Sequence, residues 1–142
     1  MAVEEKSAWF MGVIAIVLYG VYLALIFAAA EGGPVSAVNY IPALLATVIG
    51  SSLANAVLNI VVGIVSPKRD RTKDSRDRHI YRTGEYIGRT LVLAGAGAAL
   101  VLAMLEVDPF WIANVIYLAF VLAAVLASII KIVGYRVGFQ KW

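Results

Sequence analysis

Cysteine is absent from this 142-residue chain, and histidine occurs once. Without cysteine there is no disulfide, no thiolate metal site and no thiol nucleophile. A single histidine, His79, does not make a zinc or haem site by itself. Charge is scarce as well: 15% of residues are Asp, Glu, Lys or Arg, against 62% hydrophobic. Mean hydropathy is +0.88. Such a balance leaves little material for a soluble domain. Acidic residues are missing from four long apolar runs, at roughly 8–30, 40–65, 86–105 and 109–133. Proton-coupled transporters ordinarily need an intramembrane ionisable group to load and release the proton. Small multidrug antiporters are four-helix chains of this size that place a carboxylate in the first helix. The first run here has none.

What is present is length. Each run is near or above the ~20 residues a helix needs to cross ~30 Å of hydrocarbon. The chain therefore reads as an all-α, four-helix transmembrane bundle, one integral membrane domain over residues 1–142. Orientation follows from the twelve basic residues. Lys6 precedes the first run. Lys68, Arg69, Arg71, Lys73, Arg76, Arg78 and Arg82 lie between the second and third, with Arg89 just inside the third. Lys131, Arg136 and Lys141 close the fourth. The other two connections carry only Glu31, Glu106 and Asp108. The positive-inside rule then places both termini and the 66–82 segment in the cytoplasm.

Turn chemistry marks the ends of the runs. Ser7 is a candidate N-cap for the first, and Glu31-Gly32-Gly33-Pro34 stops it. Pro42 suits the start of the second helix, and Ser66-Pro67 its end. Asp108-Pro109 reads as N-cap and first residue of the fourth. Phe110, Trp111 and Tyr117 are expected to form an outer aromatic belt. Glu31-x-x-Pro34-x4-Asn39 recurs as Glu106-x-x-Pro109-x4-Asn114, an offset of 75 residues. Either two parallel hairpins arose by tandem duplication, or two hairpins share the same turn chemistry.

Three groups of residues stand out. Thr47, Ser51, Ser52, Asn55 and Asn59 fall within an arc of roughly 140° on the second helix. This intramembrane polar stripe is either packing glue between helices or the lining of a path. Asn55 falls near mid-membrane, where lipid offers its amide no partner. Gly84, Gly88, Gly95 and Ala99 share a narrow face of the third helix, which suits close approach to another helix. Arg89 points away from that face by about 100° and can snorkel to headgroups. The 66–82 segment holds seven basic and three acidic residues, a net of +4. Its Lys68, Arg69, Arg71, Lys73, Arg76, Arg78 and Arg82 form a basic loop suited to anionic lipid or a partner. No residue pattern calls for a catalytic centre, a cofactor or a metal.

The stretch from Lys73 to Gly88 resembles a charged signature that precedes the third helix in a prokaryotic family of small, four-helix predicted membrane proteins. Asp74, Arg76, Asp77, Gly84 and Gly88 match that pattern, whereas Ser75 stands where the family has Glu. Asp108-Pro109-Phe110-Trp111 fits it too. The resemblance covers the second half best and brings no activity with it. It implies a multi-pass protein of the prokaryotic inner membrane. Genes of such proteins often neighbour helix-turn-helix regulators, which implies a sensory or accessory role. The expected function is thus non-enzymatic, accessory or signalling, with the basic loop as its interaction surface. The alternative is a transporter or channel element that uses the polar stripe. Expected partners are anionic headgroups at the inner face, a second copy of the chain and a cytoplasmic protein, with no role for nucleic acid.

Overall fold

A computed structural model of the chain describes residues 3–66 and 75–137. It is an all-α bundle of four helices: α1 (Val3–Ala30), α2 (Ile41–Val65), α3 (Ser75–Met104) and α4 (Pro109–Arg136). All four are long and apolar enough to cross a membrane. In hydrocarbon the backbone must satisfy its own hydrogen bonds, and a helix does so along its whole length. A single 3-10 turn, Val35–Ala37, precedes α2.

The helix ends follow the turn residues. Ala30 is followed by Glu31 at φ 47° and Gly32 at φ 80°, and α3 is followed by Glu106 at φ 54°. Both hairpins thus turn through a glutamate in the left-handed region that side chains seldom adopt. After the turn they diverge. Pro109 opens α4 directly, with the Asp108 carboxylate accepting from the Phe110 N–H at 2.9 Å. Pro34 leads only into the 3-10 turn, and α2 begins at Ile41 with Pro42 in its first turn.

Two starts lie earlier than hydropathy implies. α1 begins at Val3, so Ser7 is inside the helix rather than capping it. α3 begins at Ser75, eleven residues before the apolar run at 86. Part of the expected 66–82 loop is therefore helix. Hydropathy marks where lipid begins, not where a helix begins. From Ser75 to Thr83 nothing breaks a helix, and Ile80, 1% exposed, gives this extension a buried anchor.

The extensive helix pairings are α3 with α4, α4 with α1, and α1 with α2. α4 is the central element, burying nine residues against its neighbours. α2 is the outlying one, with Thr47 its one buried residue. The core of Tyr22, Ile26, Phe110, Tyr117 and Val121 lies toward the Glu31 and Asp108 end. Phe110 and Tyr117 are buried there, so the expected belt reduces to Trp111, 46% exposed. At the opposite end, Arg136 meets Glu5 and Arg76 meets the last turn of α4. All basic side chains of the described residues thus sit toward one end of the bundle, hereafter the basic end.

Candidate functional site

The basic end is built around a lysine within an apolar helix. Lys131 is 6% exposed. Its Nζ donates to Glu85 Oε1 at 2.7 Å and lies 4.2 Å from the centre of the Tyr81 ring. Its stem runs over Gly84, where an added Cβ would stand 3.0 Å from Lys131 Cγ and 3.1 Å from the Ala127 carbonyl. So the glycine makes room, the carboxylate neutralises, and the ring contributes a cation–π contact. A charge this well buried requires such partners. About 20 residues of hydrocarbon counted back from Met104 put the boundary near Glu85. The remaining ten residues of α3 then extend about 15 Å beyond the boundary.

This extension is tied down. Arg76 Nη2 lies 3.4 Å from the Gly134 carbonyl oxygen and 3.5 Å from that of Tyr135. A cation there complements the C-terminal dipole of α4. Arg136 pairs with Glu5 at 3.3 Å and sits 5.8 Å from the Trp9 ring centre. By contrast Arg78, Arg82 and Arg89 make no hydrogen bond or ion pair among the described residues. At 100° per residue the three fall within about 40° of one another on α3. Of the expected basic loop, Arg76, Arg78 and Arg82 are therefore helical, and Lys68, Arg69, Arg71 and Lys73 lie outside the described residues.

The polar stripe of α2 bonds mostly to its own helix. Thr47 donates to the Ala43 carbonyl at 2.9 Å, Ser51 and Ser52 to Val48 at 3.2 and 3.0 Å. The Asn55 amide donates to Ser51 at 2.9 Å, and that of Asn59 to Asn55 at 2.8 Å. Two members also reach other helices. Thr47 Oγ1 accepts from the Tyr117 hydroxyl at 3.0 Å, and Asn59 Oδ1 accepts from the Ser7 hydroxyl. Asn55 Oδ1 is buried with no hydrogen-bond partner among the described residues. Ser51, Ser52 and Tyr117 line a cleft of about 320 Å³, with Leu18, Phe120 and Ala124 on its apolar walls.

The glycine face of α3 lies on α4. Gly88 sits 3.4 Å, measured from an added Cβ, from the Ala123 carbonyl, and at Gly95 that atom would overlap Ala119 Cβ. Ala99, 5% exposed, continues the row. The matching row on α4, Ala119, Ala123, Ala127 and Lys131, is spaced by four. Sequence reasoning missed that row, although its spacing was readable.

The Lys131–Glu85 pair was missed as well. Lys131 read as a topology marker and Glu85 as a residue outside the third run. The available signal was a cation within the fourth apolar run and one carboxylate flanking the third. A second polar contact, Tyr22 hydroxyl donating to Asn114 Oδ1 at 2.7 Å, had no sequence signal beyond its residue types.

The fold and its site define a multi-pass, four-helix membrane protein with a basic, helix-ordered end. Comparison with known proteins finds no family model, no curated protein and no solved structure that matches the chain.

Proposed function

We propose that this is a non-enzymatic accessory or signalling protein of the prokaryotic inner membrane, working through its basic end. In this reading both termini and the 66–82 segment face the cytoplasm. The observation that carries it is the α3 extension. It is anchored to α4 by Arg76 and Lys131, with Arg78 and Arg82 exposed. A hydrocarbon span of ~20 residues counted back from Met104 would leave about 15 Å of it outside the membrane. A rigid basic helix of this kind suits anionic headgroups and an acidic face on a cytoplasmic protein. The resemblance around Asp74–Gly88 supports the same class. Self-association is part of the proposal. Gly20, Gly50 and Gly97 face open space and leave small-residue surfaces for a second copy.

A transport element remains the second reading, favoured by the cleft at Ser51, Ser52 and Tyr117 and the unpaired Asn55 Oδ1. Against it stand the stripe's bonds to its own backbone. Flux measurements on purified protein in liposomes separate the two. The accessory reading expects no solute or ion flux from the native chain or from Asn55→Ala. Robust flux that Asn55→Ala abolishes would overturn it. Orientation is checked separately with single-Cys variants, which are clean because the chain has no cysteine. Gly32→Cys should react with an impermeant thiol reagent in intact cells and Asp74→Cys should not.

A further inference from the structure

We propose that the groove between α1, α3 and α4 at the basic end binds one anionic phospholipid. Its acyl chain lies against α4, and its phosphate is held by Arg89 and Arg82. Two adjoining clefts carry the inference. One, of about 360 Å³, is floored by Ala123, Ala124 and Ala127 and walled by Met11 and Val92. The other, of about 320 Å³, is lined by Tyr81, Arg82, Tyr86 and polar neighbours. Glu85 and Arg89 belong to both, so an apolar channel continues into a cationic mouth.

The groove exists because α1 and α3 both pack on α4 without an extensive pairing of their own. From Glu85 to Leu93 it spans about 12 Å of helix rise, against ~15 Å for half the hydrocarbon thickness. Its charge is set by Lys131. An Arg89 four residues after Glu85 would ordinarily pair with it. Here Glu85 is taken by Lys131 at 2.7 Å, and Arg89 and Arg82 make no bond among the described residues. The pair is neutral, and the mouth keeps two positive charges beside a half-buried carboxylate. Arginine matches a phosphate with paired donors. The exposed Tyr86 ring, which lines the same mouth as the two arginines, suits the headgroup level. An apolar channel has no use for free phosphate, so the occupant is lipid. The groove would hold it whether the protein signals, scaffolds or transports.

The test is binding of phosphatidylglycerol and of phosphatidylcholine with identical chains to purified protein in neutral detergent. Native mass spectrometry and thermal melts report it. The expected result is one tightly held phosphatidylglycerol and a higher melting temperature, with a smaller effect from phosphatidylcholine and none from inorganic phosphate. Arg82→Gln/Arg89→Gln should weaken phosphatidylglycerol about tenfold or more, and Lys6→Gln, a basic residue of the same end, should not. Both arginines are exposed, so the double variant is expected to fold, which its melt without lipid checks. Val92→Phe, which narrows the channel without touching charge, should weaken both lipids. Equal binding of the two lipids by the native chain would overturn the proposal. So would full phosphatidylglycerol binding by the arginine variant, or inorganic phosphate reproducing the shift. Efficient disulfide crosslinking between Leu93→Cys chains would put a second copy in the groove and also overturn it.

Discussion

The two sides of α4 are held by different physics. Toward α3, rows of glycine and alanine meet, and at Gly95 there is no room for even a methyl group. Toward α1 and α2, large rings meet instead. Tyr19, Tyr22 and Tyr117 stand within 5.0–6.1 Å of one another, two of the three pairs edge to face. Hydroxyls join them to the helices, Tyr22 to Asn114 and Tyr117 to Thr47. Lipid chains are as apolar as any side chain, so neither side is held by water exclusion. The small seam gains dispersion from close backbone approach. The aromatic side gains ring geometry and hydrogen bonds that lipid cannot replace. The first should tolerate lost polarity but not added volume. The second should tolerate modest volume changes but lose stability when a hydroxyl goes.

The largest effect is expected at the seam. Gly95→Leu should cost about 3 kcal/mol, the upper end for overpacking, and lower the detergent melt sharply. Leu93→Ala, on the lipid side at 72% exposure, should do little. Equal melts for the two variants would mean that α3 and α4 do not meet as described.

Next comes the charge seated at the end of that seam. Glu85→Gln leaves Lys131 buried without its carboxylate. Full burial would make this a loss of 3–5 kcal/mol, and the half-exposed Glu85 reduces it to about 2 kcal/mol. Adding Lys131→Met should recover more than half of that loss, because the cost lies in the unpaired charge. A double variant no better than Glu85→Gln alone would show that the pair is not energetically coupled.

The aromatic side should respond most mildly. Tyr117→Phe removes one interhelical hydrogen bond and should cost about 0.6–1.5 kcal/mol. Asn55→Ala should cost about 0.5 kcal/mol, since its amide bonds only its own helix. If Asn55→Ala proved the more damaging in chemical or thermal denaturation, the stripe would be carrying a cross-helix contact beyond those described.

The glycine face of α3 was readable because Gly84, Gly88, Gly95 and Ala99 recur at helical spacing, and spacing is a property of the chain. The α2 stripe was readable for the same reason, but its use was not. Thr47 and Asn59 reach other helices while Ser51 and Ser52 bond to Val48. That division depends on which neighbour stands beside each turn of α2. Phe110 and Tyr117 illustrate the limit from the other side. Their position near a membrane boundary suggests a belt, yet α4 turns both inward.

From its residues alone the chain specified four spans, their turns and the gathering of basic charge at one end. These are local matters: a backbone in hydrocarbon has no alternative to the helix, and an apolar run of ~20 residues is long enough to cross. Tertiary structure decided that α4 is central and α2 peripheral, that Lys131 pairs with Glu85, and that α3 continues to Ser75 as a helix. It also decided that α1 and α3 leave a groove over α4 with Arg89 at its mouth. Helix choice of partner in lipid rests on shape and on single polar contacts between residues distant in sequence, and hydropathy is blind to both.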